Sequence, residues 1–315
     1  MSNQPQFRVV KVLRGHSSSI VSLDVDTENM RILSAGLDKK VMIWSIDSGR
    51  TLKYDHSDVV RSARFTNSHS SFVTAGDGQK LSLHKARVQP QSRLVSSAFF
   101  GRINEICCSP VEDIVAVVCN DRYLRVIDYK TRRIMHSQIT HTLPTSVDVS
   151  VHGLVAYSND RGSIQVFDPM YKASILGIEM EENISQLRFH PSGHFLAAVS
   201  ENGSLHIYSL IQKKLYHRYV LNTALKCVAW HDSGSIVAVI GEDNHCYVYD
   251  LNRKMALCDI VNRERVDAIV WKENMLVMNL NQQIVIWNSD LDVFSGEFDV
   301  SNQAAAMLAH RMQQM

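Results

Sequence analysis

The chain has 315 residues, a hydrophobic fraction of 45% and a formal net charge of +1 at pH 7. That balance excludes a largely disordered chain and a globally basic binder of polyanions, so any charged docking surface has to be local. No run approaches the ~18 uninterrupted apolar residues of a membrane-spanning helix. The opening MSNQPQFRVVKVLRGH also lacks the apolar stretch of a secretory leader.

Residues 1–6 read as a flexible arm and Phe7–Leu13 (FRVVKVL) as a strand. A repeat then begins: an apolar strand, a turn, a second apolar strand, a tight polar turn and a third strand, mostly ending in an aromatic. The first strands are Ile20–Val25, Val60–Phe65, Ile103–Cys108, Pro144–Val149, Ile184–Phe189, Leu225–Trp230 and Val266–Trp271. The second strands (ILSAG, FVTAG, IVAVV, LVAYS, FLAAV, IVAVI, MLVMN) are near-continuous apolar runs, as strands covered on both faces are. The turns after them, such as Gly76-Asp77-Gly78 and Glu201-Asn202-Gly203, are rich in residues that tolerate positive φ. The third strands close at positions 44, 84, 127, 167, 208, 249 and 287, giving spacings of 40, 43, 40, 41, 41 and 38. A more polar fourth strand follows each triplet, RLVSSAF and KLYHRYV among them, and suits an outer edge.

A period of ~40–45 residues with about four strands is that of a propeller blade. The expected fold is all-β: a single seven-bladed β-propeller of four-stranded antiparallel blades over residues 7–300. Phe7–Leu13 is expected to pair with the last blade and close the ring, which leaves Val293–Phe298 as an extra edge strand or a surface strap; the reverse assignment stays open. The tail, residues 301–315, has the composition of a short capped helix or a frayed end.

The first repeat, LRGHSSSIVSLDV followed by ILSAGLDKKVMIWSI, resembles the WD-repeat family of β-propellers. The resemblance implies a hydrogen-bonded structural tetrad of His16, Ser34, Asp38 and Trp44. The second repeat keeps His56 and Thr74 but has Gly78 at the Asp position and His84 at the Trp position. Later repeats lose the His, and no Trp-Asp dipeptide occurs.

No catalytic constellation stands out: HExxH, GxxxxGK[ST], GxSxG and paired Cys/His metal spacings are all missing. A non-catalytic chain without metal or cofactor is expected. The six cysteines sit mostly in strand patterns as small apolar side chains, with Cys107 and Cys108 on opposite faces. His190 and His231 read as structural turn residues, and His136, His141, His152 and His217 as scattered and solvent-facing. Trp44, Phe167, Tyr208, Tyr249 and Trp287 fall in different blades and read as core.

The remaining signal is charge at one rim. Two registers flank each first strand's opening apolar residue at the channel mouth. They place Arg61, Arg102, Lys226 and Arg265 against Asp267, and the turns between second and third strands add Lys39, Lys40, Arg122 and Arg161 on the same face. Such a rim suits an acidic or phosphorylated segment; the bland alternative is pairing with nearby carboxylates. The chain reads as an intracellular, cytoplasmic or nuclear, monomeric propeller that binds other proteins as a subunit of a larger complex, with direct nucleic-acid binding not expected. Alternatives are a subunit of an RNA-processing or chromatin complex and a ubiquitin-ligase substrate receptor, although the Trp-Asp-x-Arg adaptor signature is absent.

Overall fold

The computed structural model describes residues 7–89 and 91–289, and in them 28 strands form seven four-stranded antiparallel sheets. In six blades the strand order across the sheet is the chain order, with the first strand innermost. The seventh is built from both ends of the described chain: Phe7–Arg14 pairs with Gln283–Ser289, outside Met275–Leu280 and Ile269–Lys272. The ring is thus closed by the N-terminal strand, the first of the two assignments expected. Val293–Phe298 and the tail at 301–315 lie outside the described residues.

Burial explains the composition of each strand. The second strands Ser71–Gly76, Ile114–Cys119, Phe195–Ser200 and Ile236–Gly241 are buried at every position, because each is covered on both faces by neighbouring blades. The cores lie between blades. Ile20, Met42 and Trp44 of the first blade interlock with Leu13, Ala268, Val277, Ile284 and Ile286 of the seventh. Cys107 packs toward the core between blades 3 and 4, and Cys108 toward the core between blades 2 and 3. The outer strands are exposed on alternate residues, as in Arg133–Ile139.

Two local expectations are corrected, and a third, positive φ in the upper turns, is located residue by residue. The seventh inner strand begins at Ile269, not Val266, because the Asn279 side chain accepts the Asp267 and Ala268 N–H groups (2.9 and 2.8 Å) and takes them off the ladder. The outer strand of blade 2 is Ser92–Ser96, since Phe99 leaves it to enter the core at 3% exposure. Positive φ in the upper turns falls on Lys39, Gln79 and Arg122 as well as on Gly162, Gly203 and Asn244.

Candidate interaction surface

Inside blade 1, Asp38 holds the His16 Nδ1–H (2.9 Å), His16 Nε2 accepts from the Ser34 hydroxyl (2.8 Å), and the Ser34 oxygen accepts the Trp44 indole N–H (2.8 Å). Burial works to raise the Asp38 carboxyl, but the Ser17 N–H and His16 outweigh it and hold it below the usual range. Burial lowers the His16 imidazole despite its carboxylate. In blade 2 the Thr74 hydroxyl meets His84 Nε2 at 2.8 Å, and His84 stacks on Phe72. Burial, then the nearby His56, push His84 down to about 3. Elsewhere the position of His16 is filled differently: Phe99 in blade 3 lies under the Arg125 guanidinium (5.2 Å), and Met180 in blade 5 accepts from the Tyr208 hydroxyl (3.2 Å). Trp44, Phe167, Tyr208 and Tyr249 are buried in separate interblade cores, and Trp287 is half-buried.

The inner strands face a cavity of about 590 Å³ along the propeller axis. An inner strand is the edge of its sheet, so half of its N–H groups need partners from elsewhere. The next blade is served by side chains. Ser22, Ser62, Glu105, Ser146 and Gln186 accept the N–H of Ala63, Ile106, Val147, Leu187 and Val228 at 2.8–3.2 Å. Asp24 and Asp148 do the same one step lower for Phe65 and Phe189 (2.7 and 2.6 Å). Glu105 also joins Arg64 (3.3 Å) to Arg188 (2.5 Å) across the channel. Burial works to raise its carboxyl, but the two guanidiniums outweigh it and hold it low. For Asp24 and Asp148 burial prevails, and both carboxyls are raised. The Cys107 thiol, which donates to Asp148 (3.0 Å), is pushed well up by burial and is no thiolate nucleophile at neutral pH.

The upper rim is shaped by a repeated irregularity. In six blades the ladder between inner and second strands slips by one residue after the first pair, leaving Val21, Arg61, Asn104, Thr145, Ser185 and Lys226 as the bulged residues. A bulge re-aims its side chain, and Val21, Arg61, Asn104, Thr145 and Ser185 line the cavity, as does Asp267 of blade 7. The residue two places before each bulge is held by its carbonyl. Ser19, Val59, Arg102, Leu143, Asn183, Ala224 and Arg265 each accept an N–H from the upper turn of their own blade at 2.8–3.0 Å.

The charges expected at the rim separate into two groups. Arg61 is paired with Asp77 (2.6 Å), Lys226 lies between Glu242 (3.8 Å) and Asp267 (4.0 Å), and Arg265 is paired with Asp267 (2.8 Å). Arg102 donates to Asn104 (3.1 Å); it, Arg122 and Arg161 are exposed and have no carboxylate within ion-pairing distance among the described residues. Asp121 is taken up by the buried Arg125 (2.9 Å), and Asp160 by the Leu143 N–H (3.1 Å).

The histidines on the lower face join blades. His190 donates from Nε2 to the Gly234 carbonyl (3.0 Å) while its Nδ1 accepts the Ser192 N–H (3.0 Å), which sets the tautomer. His152, expected to face solvent, contacts the Ser192 carbonyl at 3.0 Å and the His194 ring at 5.2 Å, because the hairpin of blade 5 folds against it. Among the described residues no group of three or more His, Cys, Asp or Glu is placed to hold a metal ion, and no helix is long and apolar enough to cross a membrane.

Comparison with known proteins agrees with this architecture. The NUP159/214 beta propeller model matches residues 154–314, about half of the chain, and the WD domain, G-beta repeat model matches residues 7–45. The chain belongs to the WD-repeat β-propellers. This propeller is 25% identical to the ribosome biogenesis protein YTM1 of Debaryomyces hansenii over 51% of the chain and 34% of that protein. It is 24% identical to rat striatin over 59% of the chain and 26% of striatin. To the rat serine-threonine kinase receptor-associated protein it is 22% identical, over 62% of the chain and 55% of that protein. The chain therefore spans between about a quarter and about half of the length of these relatives. The first-blade tetrad was legible through the family resemblance, and one of the two registers expected at the channel mouth is the bulged one; the interblade clasps carry no such signal.

Proposed function

We propose that this WD-repeat propeller is a non-catalytic scaffold: an intracellular recognition subunit of a multiprotein complex that takes an acidic or phosphorylated segment of a partner protein on its upper face. The observation that carries the reading is the rim itself. The crossover carbonyls are pinned in all seven blades, so the side chains of Arg102, Arg122 and Arg161 are presented from an ordered edge with no neutralising carboxylate among the described residues. An ordered backbone spares the cost of ordering the loop on binding, and the planar guanidinium matches carboxylate and phosphate geometry. The nucleophile candidates inside are accounted for by packing, since Cys107, Cys108 and Cys227 all have thiols raised by burial.

The relatives support the scaffold reading through what their names say, one being receptor-associated and another a ribosome biogenesis protein. The latter favours, as a second reading, a place in an RNA-processing assembly. Affinity purification of the tagged full chain tests the proposal. It predicts stoichiometric protein partners, at least one of which is lost when Arg61, Arg102, Arg122 and Arg161 are changed together to Glu at unchanged melting temperature. Retention of every partner by that variant overturns it. Nuclease-sensitive capture would move the weight to the RNA-processing reading.

A further inference from the structure

Resting on that reading, we propose that the docking point is the upper rim of blades 3 and 4. There Phe100 and Leu143 receive an apolar side chain of a short peptide, and Arg102, Arg122 and Arg161 bind the carboxylates or phosphates flanking it.

The adjacent phenylalanines have opposite fates. Phe99 is 3% exposed and packed in the core, whereas Phe100 is 86% exposed. The Phe100 loop is anchored, because its N–H is held by Asp121 (3.2 Å), and a Cβ on Gly101 would come within 3.0 Å of the Asp121 nitrogen. Folding therefore leaves a large apolar ring standing in water on a fixed loop, which is the mark of a contact residue. Leu143, 38% exposed, stands on the next crossover, and the two loops are joined by Asn104, which donates to Asn120 (2.8 Å) and to the Pro144 carbonyl (2.7 Å). The Arg122 carbonyl accepts the Thr140 N–H (2.9 Å), and the Asp160 N–H reaches the Leu143 carbonyl (2.9 Å), so the Arg122 and Arg161 turns flank the same crossover. Asp121 is paired with the buried Arg125 and Asp160 accepts the Leu143 N–H, and neither forms an ion pair with the three arginines.

The rest of the rim sets the size and class of partner. Over blades 5 to 7 the exposed loop residues include Glu201, Glu242, Asp243 and Glu264, alongside Arg263 and the Asp267-paired Arg265. A long polyanion leaving the Phe100 patch in that direction would meet these carboxylates, and like charges close together repel. A short acidic segment with one apolar anchor fits within the basic sector, and this favours a peptide over a nucleic acid.

The test uses the full chain and fluorescein-labelled peptide pools in which Phe or Leu is flanked by Glu or phosphoserine, with Ser-for-Phe/Leu pools and oligouridylate alongside. The anchored acidic pools should bind. Binding should weaken by about tenfold in Phe100→Ser and in the Arg102→Glu/Arg122→Glu pair, and remain in Arg61→Glu, all at unchanged melting temperature. Equal affinity for the Ser pools, undiminished binding by Phe100→Ser, or preferential capture of oligouridylate overturns the proposal. If Arg61→Glu with Lys226→Glu abolishes binding while the blade 3–4 variants retain it, this location is wrong and the functional reading stands. If no acidic pool binds the wild-type chain, both fall.

Discussion

Blades 1 and 2 align without a gap from His16 and His56, with 28 residues in each case to the end of the third strand, Trp44 or His84. Blade 1 closes this space with a carboxylate, an imidazole, a hydroxyl and an indole in series. Blade 2 has no carboxylate at the position matching Asp38: a Cβ at Gly78 would lie 2.7 Å from the Asp58 carboxylate, which already occupies that space. Its two imidazoles instead sit edge to face 5.1 Å apart, and His56 Nε2 is buried without a hydrogen-bond partner among the described residues. The difference teaches that the fold needs the volume beneath the crossover filled and its third strand covered. It tolerates several chemistries for doing so, at different cost in pH sensitivity.

The largest effect should come from the glycine that ends the second strand in blades 1, 2 and 6. A Cβ at Gly76 would lie 2.1 Å from the Val59 carbonyl oxygen, a backbone atom that cannot step aside; at Gly36 the nearest atoms are side chains, Asp38 Oδ1 and His16 Nδ1, at 2.9 Å. Gly76→Ala should therefore cost about 3 kcal/mol and Gly36→Ala less, as read by urea unfolding. Equal costs would mean that the blade 1 tetrad is as rigid as backbone.

Next, Ser34→Ala strips partners from both His16 Nε2 and Trp44 Nε1, whereas Thr74→Val strips one from His84. We expect about 2–3 kcal/mol for the first and about 1–2 for the second, each orphaned buried group costing ~1–3 kcal/mol at most. A reversed order would show that the ring stack of blade 2 depends more on its hydroxyl than blade 1 does.

Acid should separate the blades further. The folded His84 titrates at about 3, below its ordinary 6.5, so between these values the unfolded chain binds a proton that the folded chain refuses. Its contribution is therefore fully present above pH ~6.5 and lost progressively as pH falls toward 3, at up to about 1.4 kcal/mol per unit. His190, lowered to about 4, acts in the same direction on the lower face. Replacing His84 with Phe should flatten the stability profile between pH 6 and 4, measured by denaturant melts across pH; an unchanged slope would assign the acid loss to the other imidazoles.

The smallest effect belongs to the rim. The Arg61–Asp77 pair is about one-third exposed on both sides, so Arg61→Ala should change stability by less than about 1 kcal/mol. A larger loss by calorimetry would mean that the bulged residue holds its blade in place.

Much of this was readable beforehand, and the reasons are particular. The runs ending at Trp44, Tyr208 and Trp287 announce the blade because a strand covered on both sides must be apolar throughout, and that demand recurs with every turn of the ring. Phe7–Leu13 was legible as an outer-edge strand by its likeness to the polar fourth strands, while its place in the closing blade stayed open against Val293–Phe298. Val266 misled because its side chain is apolar while the N–H groups that follow it are claimed by Asn279, a contact between strands. Phe99 misled because nothing in the pair Phe99-Phe100 says which ring turns inward. His152 misled because its partner is the hairpin of the neighbouring blade.

The amino-acid order alone determined the blade: its length, its four strands and the number of times it recurs, since those follow from local alternation, burial and turn chemistry. Tertiary structure alone decided that one of the two rim registers is bulged, which carboxylates clasp the next blade, and which rim arginines keep no counter-charge. Those outcomes depend on residues about 40 positions apart being brought within hydrogen-bonding distance by closure of the ring, as Ser22 is to Ala63 and Glu105 to Val147.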